Sequence, residues 1–311
     1  MKLLAAIALL VLAAPAFAPY DPGRLFPGYQ YAPPMRPHVI ADDGAWHAPF
    51  AYPVRVEDPL ERRYSEDRTT RIGSFAGPQP WFLLGSDALG RDVLSRLLIG
   101  ARLSLGIALI ATVLSIAIGT AIGGIAGHAG GWVDDGLMRA ADFVTVLPAI
   151  YVVLALRGVL PLVLSPGEVS MALVAVLALV GWPVIARGVR TILLVERQAE
   201  YAEAARASGA GPWRLMTRHL LPATGGFLGV QATVLVPAFV MAEATLSFVG
   251  LGFAEPTPSW GVMLADAAAV QIAADAPWLL APAVAIVATV FVIHSADGFV
   301  IGAGATTAAR K

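Results

Sequence analysis

The sequence predicts an all-α integral membrane protein with about six transmembrane helices. Two observations carry that expectation. Hydrophobic residues make up 57% of the 311 and charged residues only 14%, with a mean hydropathy of +0.71, whereas soluble domains carry roughly a quarter charged residues. The apolar residues are also gathered into runs close to the ~20 residues a helix needs to cross a bilayer. These runs are Leu3 to Pro19, Leu103 to Gly127, Phe143 to Leu164, Val169 to Ala186, Leu220 to Ala242 and Ala276 to Ile293.

The composition also excludes several classes. A net charge of −1 argues against a nucleic-acid surface. With no cysteine there are no disulfides, thiolate metal sites or cysteine nucleophiles. Lys2 and Lys311 are the only lysines, so the internal Gly-Lys-Ser/Thr of a phosphate-binding loop is missing. Any energy the protein uses must come from a gradient or from another chain.

The first run, in residues 1–20, fits two readings. Lys2, an apolar core and Ala16 and Ala18 suit a cleavable signal peptide. The same run suits an uncleaved span extended into the interface by Pro19 and Tyr20, and an uncleaved span is the expectation. Residues 21–102 follow as a polar, Pro-rich, extracytoplasmic segment. Its ten arginines do not upset the orientation, because long loops translocate largely regardless of charge.

Residues 103–302 form the membrane core. Its loop from Arg187 to His219 sets the orientation, with six arginines (187, 190, 197, 206, 214 and 218) against Glu196, Glu200 and Glu203. The loops around Arg157 to Glu168 and Glu255 to Asp275 are poor in positive charge. The positive-inside rule places the arginine-rich loop, both termini and the 303–311 tail in the cytoplasm.

Within that loop, residues 196–219, Glu200 to Ser208 is an Ala-rich helix former, with Glu203 and Arg206 spaced for an i,i+3 pair. Gly209 permits a left-handed stop, and Pro212 suits the first turn of a second helix, Trp213 to Leu221, ending at Pro222. Ala202, Ala204, Ala205 and Ala207 make a narrow rod able to lie in another protein's groove. On spacing alone, a plain connector between two spans serves as well.

Glu203-Ala204-Ala205, then Gly209, then Leu221-Pro222 resembles the EAA loop of ABC importer permeases; His219 stands where that pattern has isoleucine. The resemblance implies that Glu203, Ala204, Ala205, Arg206 and Gly209, with Leu221 and Pro222 closing the motif, contact a partner ATPase. Three further stretches resemble the dipeptide, oligopeptide and nickel branch, in its second-permease form. In "LLGSDALGRDVLSRLLIGARLSL" (83–105), Asp87 and Gly90 make a turn before an amphipathic helix lying at the outer surface. Val93, Leu94, Leu97, Leu98 and Ala101 share its apolar face, with Arg91, Asp92, Arg96 and Arg102 elsewhere. "GGWVDDGLMRAADFV" (130–144) is expected as a polar cytoplasmic turn leading into a helix. "AEATLSFVGLGFAEPTPSWGVML" (242–264) holds Glu243 in an apolar run, a candidate pore or gate residue or else a carboxylate at the outer edge. In the same stretch Gly250, Gly252, Pro256 and Pro258 end the span and Trp260 is an interfacial anchor.

The resemblance covers residues 83 to 295. The long 20–79 segment is similar to oligopeptide permeases with an enlarged periplasmic loop, while "HSADGFVIGAGATTAARK" departs from the usual ending. It implies a type I importer permease fold in the bacterial inner membrane. It also implies a second homologous permease, two ATPase subunits that hold the ATP and magnesium, and an extracytoplasmic peptide-binding protein. This chain then has no catalytic residue and no cofactor of its own. Nickel and glutathione are alternative substrates in that family. An ion-coupled secondary transporter and a tethered scaffold are rival classes.

Other clusters read as structure rather than chemistry. His38, Asp42, Asp43 and His47 form a turn-rich loop rather than a metal site. His294 with Asp297, and Arg157, read as interfacial charges whose stems snorkel. Gly119, Gly123, Gly124 and Gly127 provide a close-packing face toward this chain's own helices or a second permease.

Overall fold

The computed structural model describes residues 9, 11–42, 44–58, 63–148, 151–152, 154–155 and 164–308. Asp43, Arg157, the first part of the first apolar run and the middle of the third lie outside these residues. The chain divides into two compact units, 105–243 with the residues from 289 onward, and 7–104 with 244–288.

The helices are α1 (Val93–Ala129), α2 (Gly131–Val146), α3 (Pro166–Glu196), α4 (Glu200–Ala207), α5 (Pro212–Leu215), α6 (Gly225–Phe248), α7 (Trp260–Asp266), α8 (Val270–Asp275) and α9 (Ala281–Ala308). Among the described residues, four helical stretches are long and apolar enough to cross a membrane: Val93–Ala129, Pro166–Glu196, Pro212–Phe248 and Pro277–Ser295. They overlap four of the six expected runs but extend beyond them. At 37 residues, α1 is about 55 Å long at ~1.5 Å per residue, well beyond a ~30 Å hydrocarbon core.

The polar segment departs from a purely α-helical expectation. It carries two antiparallel hairpins, β1 (His38–Ile40) with β2 (Trp46–Phe50) and β3 (Val54–Asp58) with β4 (Arg63–Glu66). Val54 and Val56 alternate with Arg55 and Glu57, and Val54 and Val56 are the less exposed, which is the period of a half-buried strand. A core of Tyr20, Phe26, Trp81 and Phe82 sits with the hairpins. Tyr20 and Phe26 meet edge to face at 5.1 Å, and Phe26 and Phe82 at 5.3 Å, a preferred aromatic geometry. Tyr20 therefore is no interfacial residue: it is buried, and its hydroxyl accepts the Trp81 N–H at 2.8 Å.

In the other unit, α3 is the central post. Ser165 and Glu168 form a reciprocal capping box at its start. Gly119 and Gly123 of α1 lie so close that a side chain on either would strike Ile185 or the Ala186 backbone, and Gly127 faces Leu193, while Gly124 faces open space. Three of the four glycines thus pack within this chain. The turn into a helix expected at 130–144 is present: Gly130 and Gly131 both take positive φ, 65° and 55°, and α2 starts there. Those two residues bend the chain between helices, so the turn itself needs little else.

Candidate functional site

The first candidate site is the segment between α3 and α6. Residues 187–196, expected as loop, are helical: α3 runs to Glu196, and the bend is confined to Arg197–Ala199. The next elements follow local chemistry closely. Gly209 takes φ +82°; Ala210 N–H reaches the Ala205 carbonyl at 3.0 Å and Gly209 N–H the Arg206 carbonyl at 2.9 Å, the paired bonds of a Schellman stop. Pro212 sits in the first turn of α5. Beyond it the chain widens into a π turn, Met216–Leu220, and then a 3-10 turn, Leu221–Thr224. Pro222 lacks the N–H that an α-helix would require there, and the wider turn accommodates it.

One side of α4 faces inward. Ala202 is fully buried in a cluster with Ile185, Val189, Leu193, Leu215, Met216 and Leu220, and Ala205 packs half-buried at its edge. The other side carries Glu200, Glu203, Ala204, Arg206 and Ala207, all exposed. The alanine rod is therefore split: Ala202 and Ala205 hold α4 to its own chain, and Ala204 lies on the open face. The expected Glu203–Arg206 pair does not form; Arg206 donates instead to the Arg197 carbonyl at 2.8 Å, closing the bend. A cavity of about 530 Å³ opens beside the bend, lined by Glu203, Arg206, Arg197, His128 and Pro212 among others. Of the motif's closing residues, Leu221 is half-buried and Pro222 exposed.

The second candidate site is the signature at residues 87–96. Here the structure corrects the expectation of a separate amphipathic surface helix. Residues from Val93 belong to α1, and its charged side is buried as well as Val93 and Ala101 of the apolar side. Asp87, Arg91, Asp92 and Arg96 are all buried. Asp87 accepts the Leu89 and Arg91 backbone N–H groups, each at 2.9 Å, and the Arg91 Nε at 2.6 Å. Arg96 Nε approaches the same carboxylate at 3.4 Å. Both arginines also hold Glu255: Arg91 by Nη1 at 2.5 Å and Nη2 at 3.2 Å, and Arg96 by Nη2 at 2.7 Å. Two cations and two anions close a neutral cluster, the arrangement that makes buried charge tolerable. Burial by itself would raise the Glu255 carboxyl, but the two guanidinium groups outweigh it and hold it below its ordinary value.

Gly90 is needed in the turn. Its φ is +75°, and a side chain would strike the Phe26 carbonyl, while its own carbonyl accepts the Phe26 N–H. Asp92 caps α1, accepting the Ser95 N–H at 2.7 Å and hydroxyl at 2.6 Å. Burial still pushes its carboxyl up to about 6. Asp266, on α7, also rises to about 6, first through burial and then through the nearby negative charge of Glu255.

Sequence reasoning missed Glu255 as a functional residue. It is the only charged residue between Ala244 and Ala265, and that isolation was the available signal. Trp260 is likewise not an interfacial anchor: it is 3% exposed and donates from Nε1 to the Leu97 carbonyl at 3.1 Å. Glu243, the candidate gate residue, is fully buried within α6. His47 pairs with Arg71 Nη1 at 3.2 Å, and His38 lies against the Phe50 and Tyr52 rings. Among the described residues no group of three or more His, Asp or Glu is placed to hold a metal. His294 bonds the Val290 carbonyl of its own helix at 2.9 Å; the Asp297 side chain lies outside the described residues.

Comparison with known proteins gives consistent matches. The profile of the family described as "Binding-protein-dependent transport system inner membrane component" matches residues 119–300. A putative peptide permease of Brucella ovis is 40% identical over 215 residues, covering 69% of this chain and 68% of its own length. The dipeptide transport system permease of Bacillus subtilis is 36% identical over 232 residues, covering 75% and 71%. A glutathione transport system permease of Pectobacterium atrosepticum is 36% identical over 191 residues, covering 61% and 62%.

Proposed function

This chain belongs to the family of binding-protein-dependent transport system inner membrane components, and on that premise we propose that it is one of two permease subunits of an ATP-driven peptide importer. It supplies half of the translocation pathway, and α4 is its coupling helix. In this reading ATP and magnesium belong to two ATPase chains, and a binding protein outside the membrane delivers the peptide to the permease pair. This chain itself catalyses nothing. Both of its termini, α4 and the surrounding arginines face the cytoplasm.

The observation that carries the reading is the division of α4. Its inner side is fixed by buried Ala202, while Glu203, Ala204 and Arg206 are left exposed on a helix of eight residues with a rigid stop. Anchoring one side of the helix leaves its opposite face open for a partner. ATP binding by the partners displaces that face, and the displacement passes into α3. The peptide assignment draws on relatives named as peptide and dipeptide permeases. Glutathione, itself a small peptide, is the second reading, favoured by the relative that bears that name.

Purifying the tagged chain with its partners tests the reading. Glu203→Arg and Gly209→Asp are expected to release the ATPases while the permease pair stays together. ATPases that remain bound and fully coupled in both variants would overturn it. Uptake that follows a proton gradient in vesicles without any ATPase would favour a secondary transporter instead.

A further inference from the structure

Two ion pairs join α2 to α3, and neither the coupling loop nor the buried cluster explains them. Arg190 grips Asp134 with both ends of its guanidinium: Nε on Oδ1, and Nη2 on Oδ2 at 2.5 Å. Arg187 places Nη1 on Asp142 Oδ1 at 2.8 Å and Nη2 on Thr145 Oγ1 at 3.0 Å. The first pair is the more enclosed, with the Asp134 side chain 9% exposed and Arg190 30%; the second is open, at 64% for Asp142 and 38% for Arg187. An apolar seam of Ala141, Trp182 and Ala186, with Met138 beside it, packs next to the pairs.

The spacing of these contacts matters more than their number. Asp134 and Asp142 are eight positions apart on α2, about 12 Å along its axis at ~1.5 Å per residue, and their partners Arg190 and Arg187 are three positions apart on α3, about 4.5 Å. One contact leaves two helices free to pivot; two contacts at different heights, one of them a bidentate fork, resist both pivoting and sliding. On its other side α3 leads straight into α4. The bend is hydrogen-bonded throughout, Arg197 to Leu193 at 3.0 Å, Gln198 to Val195 at 3.0 Å, Ala199 to Glu196 at 3.1 Å and Ala202 to Ala199 at 2.9 Å. Arg206 closes the bend from one side, and Arg197 Nη1 reaches the Gly127 carbonyl at 3.3 Å from the other. A push on α4 has little slack to take up before it reaches α3.

We propose that Arg187 and Arg190 are positioning residues for transport, riveting α2 to α3 so that both move as one body when α4 is displaced. They touch neither substrate nor nucleotide. They ensure that motion arriving at the coupling helix is delivered to α2 rather than dissipated between helices. The proposal rests on the coupling role given to α4.

The test uses the complete transporter in liposomes, reading peptide taken up per ATP hydrolysed. Arg190→Gln is expected to retain bound, ATP-hydrolysing partners while uptake per ATP falls about tenfold, an ordinary coupling free energy. The charge swap Asp134→Arg with Arg190→Asp is expected to recover most of that loss, which separates the pair from the individual residues. A second arm exploits the absence of cysteine in this chain: Asp142→Cys with Arg187→Cys, bridged by a short bifunctional thiol reagent. Bridging should restore coupling above the unbridged double variant, since a rivet involves no relative motion.

Three results would overturn the proposal: full coupling in Arg190→Gln, loss of assembly in both Arg190→Gln and Arg190→Lys, or a bridge that blocks uptake. Failure of the coupling reading looks different. There, Glu203→Arg would leave the ATPases bound whatever happens at Arg190.

Discussion

Two charged regions of this chain look alike in sequence and end in opposite situations. Residues 87–96 and residues 200–206 each mix arginines with carboxylates beside a long apolar helix. In the first, every charge is turned inward. Asp87, Arg91 and Arg96 are under 5% exposed in their side chains and form ion pairs with one another and with Glu255. In the second, Glu200, Glu203 and Arg206 remain in the open and only alanine faces inward. A charge cluster neutralised within its own chain has little left to offer a partner; an exposed, unneutralised one on an anchored helix does. The contrast separates a structural signature from a docking signature where residue type alone does not.

The largest effect is expected where the contrast is broken in the buried region. Arg96→Ala leaves Asp87 and Glu255 with too few cations, and removing one partner of a buried pair typically costs about 3–5 kcal/mol. Thermal unfolding of the purified chain should show a much lower midpoint. Glu255→Gln should fall in the same direction but less far, because its side chain is 39% exposed and water replaces part of what is lost.

Next come the two faces of α4. Ala202→Leu overfills a closed cluster and should cost about 1–3 kcal/mol. Ala204→Leu, two positions on, should leave the midpoint unchanged and weaken ATPase retention instead. An equal loss of stability in both would erase the distinction between the faces.

The smallest effect is one of pH. The Asp266 carboxyl rises from 3.8 to about 6, so the folded chain binds that proton more tightly than the unfolded chain does. The stability this gives is complete below pH ~4 and is lost as pH rises through about 6. Glu255 has the opposite sign: its depressed carboxyl adds stability above its ordinary value of 4.5, lost on acidification. Asp266→Asn should therefore raise the unfolding midpoint at pH 7.5 relative to the parent and make no gain at pH 4. A gain of equal size at both values would mean that the charge of Asp266 is not what destabilises the neutral-pH form.

What could be read from the sequence followed the range of the interactions involved. The helix over 200–207, the left-handed Gly209 and the start at Pro212 were all legible, because each depends on residues a few positions apart. Asp87 and Gly90 were legible as a turn for the same reason. The burial of Arg91 and Arg96 was not, since their partner Glu255 lies 164 and 159 positions away. An amphipathic pattern was visible around Val93 and Leu97, but it laid the helix on the membrane surface with its charged side in water. The long-range ion cluster buries that charged side instead. Residues 187–196 read as loop because their arginines outweighed their helical spacing, and Asp134 and Asp142 supply the partners that keep Arg190 and Arg187 on a helix. The hairpins at 38–66 were hidden by Pro and charge; their strands are three to five residues long, too short for alternation to stand out.

Position-specific cross-linking tests the coupling claim most directly. The chain has no cysteine, so a single one placed at exposed Ala204, or as a control at exposed Trp46 of β2, is its sole thiol. A thiol-linked photoreactive group at Ala204 should capture an ATPase subunit in the assembled, transporting complex and change its yield with bound ATP, while the same group at Trp46 should capture no ATPase. Capture of an ATPase from both positions, or of a chain other than an ATPase at Ala204, would contradict the account.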